Sequence, residues 1–232
     1  MRELPGTGAA EVWLPVVREG AEGVPAGAYG LLDEDERRRA LEYVTASGRG
    51  RYVWAHVVLR QVLARYAGVD PAGLRFGREG RYGRPVLRGL AAPFCFSLSH
   101  SHGLVAVAVS AGVVGVDVQR MCPAGTVEAC LPRLHPRERA ELERAAPSRR
   151  AEEFTRLWAR KEAYLKGLGT GLGRALRADY LGDADPAARP AGWIVADVPA
   201  PAGYAAAVAV PGGETWSVRS VADGVVSVGA PG

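Results

Sequence analysis

The sequence predicts an α+β fold made of two similar α/β halves, each a long helix packed on a small antiparallel sheet. Three observations carry that reading. Gly48 to Tyr66 and Phe154 to Leu172 both have the character of long helices, the second with apolar residues recurring at i, i+3 and i+4. Short runs of β-branched and small apolar residues, bounded by Gly, Ser or Pro, follow each of them and read as strands. The chain also echoes itself at a separation of about one hundred residues. Tyr52-Val53-Trp54-Ala55-His56 returns as Arg156-Leu157-Trp158-Ala159-Arg160, and Val105 to Val109 before Ser-Ala-Gly returns as Ala206 to Val210 before Pro-Gly-Gly. The division between the halves is placed at Gly112, giving segments 1–112 and 113–232.

Taken in chain order, the N-terminus is acidic and contains Pro and Gly, without the charged-then-apolar layout of a signal peptide. The run DEDERRRALEYVTASGRGRY leads into the first helix and carries Arg39 and Arg51. Phe94 to Leu98, Leu104 to Val109 and Val113 to Val118 read as strands, with Ser99, His100, Ser101 and His102 in a turn after the first. The second and third are expected to pair as a hairpin through Ser110-Ala111-Gly112. Asp117 is an acid in an otherwise apolar strand, and burial of an unpaired carboxylate is costly, so it requires a partner, most simply a cation.

The second helix is the most informative stretch. Phe154, Leu157, Trp158, Leu165 and Leu168 form its apolar stripe, and Lys161 falls inside that stripe. The Lys161 ammonium must therefore reach water, a carboxylate or a ligand anion. Glu162 and Lys166 lie one turn apart on one face at the stripe's edge. Two readings are open for them: a solvated i,i+4 ion pair worth a few tenths of a kcal/mol, or part of a binding site. Gly167, Gly169, Gly171 and Gly173 then supply a helix end and a loop beside that charged face. Asp185 to Pro190 reads as a loop, and Trp193 to Val198, Tyr204 to Val210 and Thr215 to Val221 as closing strands.

Composition narrows the classes without choosing one. At 232 residues with 48% hydrophobic and 23% charged residues, the chain is ordinary globular protein rather than a disordered one. No run approaches the roughly 20 apolar residues needed to span a bilayer, and a cytoplasmic location without membrane partners is expected. Cys95, Cys122 and Cys130 have no paired spacing, which indicates reduced packing residues rather than a disulfide framework or a zinc site. A net charge of +4 favours anionic partners. A nucleic-acid partner is not expected, because Trp54, Trp158, Phe94 and Phe96 read as core and no basic stripe carries exposed aromatics.

Four motifs, in one order, resemble those of a known family. Trp158-Ala159-Arg160-Lys161-Glu162-Ala163-Tyr164-Leu165-Lys166 is similar to the W-x-x-K-E-x-x-x-K signature of the 4′-phosphopantetheinyl transferases of the long, monomeric type that activates polyketide and nonribosomal peptide synthases. Gly115-Val116-Asp117-Val118-Gln119 resembles that family's G-[IV]-D-[IV]-E motif, Phe96-Ser97-Leu98-Ser99-His100-Ser101 its F-[NS]-[IL]-S-H-S motif, and Gly83-Arg84-Pro85 its G-[KR]-P turn. The resemblance spans roughly Asp33 to Leu172. It implies a pseudo-dimer with the active site between the halves, and transfer of 4′-phosphopantetheine from coenzyme A to a serine of an apo acyl or peptidyl carrier protein, with release of adenosine 3′,5′-bisphosphate.

The same resemblance implies roles for individual residues. Asp117 and Glu162 are expected as hard oxygen ligands of Mg²⁺, with Glu162 also serving as general base and Lys166 neutralising charge on the diphosphate. Lys161 is expected as nearby support. Arg84, Ser99 and His100 are carried over as contacts to the nucleotide end of coenzyme A, with Arg51 and Arg39 as further basic residues toward it. Gln119 departs from the family pattern, since it stands where the motif has an acid. Its neutral carbonyl removes one negative charge from the metal site and weakens the expected affinity. A non-catalytic coenzyme A or nucleotide-binding module is the alternative, with Gln119 as its first sign.

Overall fold

The computed structural model describes residues 2–6, 9–17, 24, 26–89, 94–212 and 217–221. Its elements, in order, are β1 (Ala9–Trp13), α1 (Ala26–Leu31), α2 (Glu34–Leu41), α3 (Ala46–Ala67), β2 (Arg75–Glu79), β3 (Arg84–Arg88), β4 (Cys95–Ser101), β5 (Leu104–Ser110), β6 (Gly115–Arg120), α4 (Ala124–Cys130), α5 (Pro136–Arg144), α6 (Pro147–Leu168), β7 (Trp193–Val198), β8 (Tyr204–Pro211) and β9 (Ser217–Val221). The mixed α/β character predicted from the sequence is present. Two 22-residue helices, α3 and α6, dominate it.

Local chemistry explains where both helices begin and end. Thr45 accepts a hydrogen bond from the Gly48 amide at the start of α3, the ordinary work of an N-cap hydroxyl. Pro147 opens α6, where no amide donor is needed. Gly68 and Gly169 close the two helices in the left-handed conformation, at φ 68° and 70°, which costs glycine little.

Each long helix covers one sheet. Val58, Leu59, Val62 and Leu63 of α3 pack with Phe96, Val105, Val107 and Val109. Phe154, Leu157, Ala159 and Ala163 of α6 pack with Val195, Ala205, Ala207 and Ala209. The opposite faces of the two sheets meet in a core of small residues, among them Val12, Ala106, Ala108, Val116, Val118, Ala206 and Val208. Alternation along β6 serves this layering, because Val116 and Val118 face the other sheet while Gly115, Asp117 and Gln119 take the other side.

The strand connections differ from the expectation in two places. Leu104–Ser110 and Gly115–Arg120 do not form a hairpin. The first sheet has the order β4-β5-β1-β9 and the second β6-β8-β7, so β5 and β6 belong to different sheets. The reason lies at Gly115. A Cβ there would stand 2.0 Å from the Ala163 carbonyl oxygen and 2.4 Å from the Gly167 amide nitrogen, so β6 rides directly on the backbone of α6 while β5 lies under α3. Only glycine permits that approach. The second difference is the last strand: Ser217–Val221 pairs in parallel with β1 of the first sheet, and Thr215 and Trp216 lie outside the described residues.

Gly115→Ala is accordingly expected to destabilise the protein by about 1–3 kcal/mol, since the helix backbone must move away. Urea unfolding of the variant checks the loss.

Candidate active site

β4 and β6 run along the junction of the two sheets without an ordinary ladder between them. Serines of β4 take its place. Ser97 Oγ accepts from the Val116 amide at 3.1 Å, and Ser101 Oγ accepts from the Arg120 amide at 3.0 Å. Between them, Ser99 Oγ donates to Asp117 Oδ1 at 2.6 Å. Three serines at alternate positions thus point to one edge, as strand periodicity requires. Ser99 and His100 lie within β4, not in a turn as the sequence suggested, and the turn follows at His102, whose φ is 52°. With its hydroxyl committed to Asp117, Ser99 holds the carboxylate in place.

Asp117 is 5% exposed. Its Oδ1 also receives Lys166 Nζ at 2.7 Å, and the same ammonium donates to the Val116 carbonyl at 3.1 Å. Lys166 therefore pairs across elements with Asp117 rather than along its helix with Glu162. Among the described residues, Asp117 Oδ2 is buried without a hydrogen-bond partner. A buried carboxylate oxygen left unpartnered is costly, and a bound cation removes that cost.

Glu162 is half-buried and makes no hydrogen bond or ion pair among the described residues. Burial pushes its carboxyl above the usual carboxylate range, the Asp117 charge adds to that, and Lys166 opposes it. Two carboxylates therefore converge on a place where one ammonium compensates them incompletely. Gln119, two residues beyond Asp117 on the same side of β6, is half-buried. Among the described residues no group of three or more His, Cys, Asp or Glu side chains is arranged to hold a metal ion by itself. The donors on offer are two carboxylates and an amide, a sparse oxygen set of the kind that leaves a hard cation free to bind waters and phosphate oxygens.

Basic groups lie near His100. His100 is held below the ordinary imidazole value, first by burial and then by the charges of His56, Lys166 and Arg51, with Asp117 opposing. His100 is thus mostly neutral near pH 7, within the field of three neighbours that repel a further proton. His56 was not singled out from the sequence. It is placed by Glu36, whose Oε1 lies 2.8 Å from His56 Nδ1, and by the Tyr52 ring at 4.2 Å. Glu36 is itself fixed by the fully buried Arg60, which reaches Glu36 Oε2 at 2.7 Å and Asp33 Oδ2 at 2.8 Å. The signal for this network was a capping box, Asp33 with Glu36.

Arg84 stands at the end of α6, donating to the Gly167 carbonyl at 2.5 Å, where a cation also complements the helix dipole. Arg51 is half-buried near His100. Arg39 is on the exposed side of α2, paired with Glu42 Oε2 at 2.8 Å. Lys161 does not join the site. Its side chain is 2% exposed, and its ammonium binds Glu138 Oε1, the Leu176 carbonyl and the Asp179 carbonyl, each at 2.8 Å. The position of Lys161 within the apolar stripe pointed it into the core, and a buried carboxylate from α5 met it there.

Comparison with known proteins points to one enzyme family. A family model described as the 4′-phosphopantetheinyl transferase superfamily matches residues 113–194, the stretch that holds Asp117, Gln119, Glu162 and Lys166. The chain is 33% identical over 147 residues to the 4′-phosphopantetheinyl transferase HetI of Nostoc sp. strain PCC 7120, covering 62% of this chain and 62% of that protein. It is 29% identical over 141 residues to a 4′-phosphopantetheinyl transferase of Bacillus subtilis, covering 61% and 62%. Over 172 residues it is 32% identical to a putative 4′-phosphopantetheinyl transferase of Synechocystis sp., covering 72% of this chain and 67% of the relative. The chain spans about three fifths of the length of the first two of these relatives.

Proposed function

Since this chain belongs to the 4′-phosphopantetheinyl transferase superfamily, we propose that it transfers 4′-phosphopantetheine from coenzyme A to a serine hydroxyl of an apo acyl or peptidyl carrier protein. In this reading the carriers are those of polyketide and nonribosomal peptide synthesis, and the enzyme works as a monomer whose similar halves divide near Gly112. The observation that carries it is Asp117: one carboxylate oxygen is pinned by Ser99 and Lys166, and the other is buried near Glu162 without a partner among the described residues.

The reaction breaks the bond between the phosphopantetheine phosphorus and the bridging oxygen, forms a bond from phosphorus to the serine Oγ, and leaves adenosine 3′,5′-bisphosphate. Asp117, Glu162 and the Gln119 carbonyl are the groups that would hold Mg²⁺. That ion, when bound, supplies neutralisation of the diphosphate charge. Among the described residues Glu162 has no competing partner, which leaves it free to take the serine proton, directly or through a water. Lys166 spends two of its three N–H donors on Asp117 and Val116, so the third is available to a phosphate oxygen. Arg84 and Arg51 face the nucleotide end, where a polyphosphate would balance their charge, with His100 beside them as a neutral hydrogen-bonding group. Arg39 and the Ser99 hydroxyl, each already engaged, have supporting places in this scheme.

The test is intact-mass spectrometry of an apo carrier protein incubated with this protein, coenzyme A and Mg²⁺. A gain of one phosphopantetheine group is expected. Coenzyme A binding without any gain on several carriers would favour the non-catalytic module, to which the loss of an acid at Gln119 points. Gln119→Glu restores that acid and is expected to lower the Mg²⁺ concentration needed for half-maximal activity. An unchanged metal titration would place Gln119 away from the ion.

A further inference from the structure

The positive charge of this protein is concentrated in one small element. Segment 75–88 carries five arginines, Arg75, Arg78, Arg81, Arg84 and Arg88, against a single acid, Glu79. Its net charge of +4 equals that of the whole chain, because the remaining 24 basic and 24 acidic residues (29 less five, and 25 less one) cancel. This segment is the two-stranded hairpin of β2 and β3. One of its faces, through Phe76 and Leu87, packs on the core under α3. The other face is turned outward.

On that outward face Arg75 and Arg88 are directly opposite one another, and both are exposed. Like charges in that relation destabilise a hairpin. Nothing nearby offsets them: among the described residues none of the five arginines pairs with a carboxylate. Arg75 donates to the Ala72 and Leu74 carbonyls, Arg78 to the Gly83 carbonyl, and Arg81 lies over the Tyr82 ring. Gly77 has a steric role here, because a Cβ on it would stand 1.8 Å from Arg88 Nε, so the guanidinium lies across the strand.

The hairpin is also tied to the catalytic end of α6. Arg84 binds the Gly167 carbonyl, one residue beyond Lys166. Tyr82, at the tip, is 51% exposed and lies so close to Gly173 that a Cβ there would be 2.6 Å from its ring. The Arg75–Arg88 pair is four residues along the ladder from the Glu79–Arg84 pair, about 13 Å at strand rise. A diphosphate does not cover that distance. An acidic helix does, in two to three turns of about 5.4 Å.

We propose that the outward face of this hairpin docks an acidic helix of the carrier protein, delivering its serine to Glu162; the proposal rests on the transferase reading above. Guanidinium forks fit such a partner because they bind carboxylates in pairs, and Tyr82 supplies an exposed aromatic anchor beside them.

The experiment is isothermal titration of a carrier protein whose acceptor serine is replaced by alanine into the wild type, Arg75→Glu/Arg88→Glu and Arg75→Gln/Arg88→Gln. Carrier affinity is expected to fall about tenfold or more in the Glu variant and by less in the Gln variant, with wild-type binding weakening as salt rises. Coenzyme A affinity, measured on the same proteins, is expected to stay unchanged and so reports that the fold is kept. Equal carrier affinity in all three proteins would overturn the docking surface, as would a loss confined to coenzyme A or to binding of duplex DNA. Transfer by the wild type in the mass assay is read separately. Transfer with unaltered carrier binding sinks the hairpin proposal alone, whereas carrier binding without transfer sinks the transferase reading.

Discussion

On the transferase reading proposed above, Glu162→Gln is expected to lower the rate of phosphopantetheine transfer by about 10³-fold or more, because the substitution would remove a general base and a carboxylate ligand together. The shape of the side chain is kept, and Glu162 makes no hydrogen bond or ion pair among the described residues, so unfolding by urea should be close to that of the wild type. Activity also carries a pH signature. Burial and the neighbouring Asp117 hold the Glu162 carboxyl above the usual carboxylate range, and the ionised form is the one that accepts a proton. Activity of the wild type therefore falls as pH drops through that raised value, and Mg²⁺ moves the acid limb to lower pH by favouring the carboxylate. The residual activity of Glu162→Gln should lack that limb. Rates across pH at two Mg²⁺ concentrations test this, and an acid limb retained in the variant would assign it to another group.

Lys161→Met is the substitution with the largest expected effect on stability. Lys161 and Glu138 are 2% and 0% exposed in their side chains and 2.8 Å apart. Burial acts on both, pushing the Glu138 carboxyl up and the Lys161 ammonium down against the opposing pull of the pair. Removing the lysine leaves Glu138 charged in the core and costs about 3–5 kcal/mol. The loss is expected to depend on pH. In the variant the folded-state value of Glu138 lies above the unfolded one, so stability is present when the group is protonated and is lost as pH rises through the folded value. Acidification should therefore shrink the difference from wild type. Urea unfolding at neutral and mildly acidic pH measures it. Glu138→Gln/Lys161→Met should recover most of the loss, since it removes the stranded charge.

The contrast between Lys161 and Lys166 shows how far a sequence can be read. Both stand in one motif, five residues apart, and helical periodicity separated them: Lys161 fell inside the apolar stripe and Lys166 at its edge. That was enough to say that Lys161 needed an internal partner. It was not enough to say which one, because Glu138 lies on a different helix and nothing local links the two. Glu162 and Lys166 were legible as neighbours, whereas the actual partner of Lys166, Asp117, comes from a strand 49 residues earlier. The F-S-L-S-H-S run was legible as a motif. Its reason, three hydroxyls facing the edge of β6, required the second sheet to be present.

Periodicity and turn chemistry determined the two long helices and most of the strands, because those signals act over a few residues along the chain, and the motif resemblance named the residues that gather around Asp117. Pairing between distant segments was decided only in the tertiary structure. Sheet membership of β5 and β6 turned on a glycine's fit against the backbone of α6, and the path of β9 turned on an open edge at β1. Such choices depend on which surfaces are left exposed once the helices have packed, and that is a property of the assembled core rather than of any one stretch of sequence.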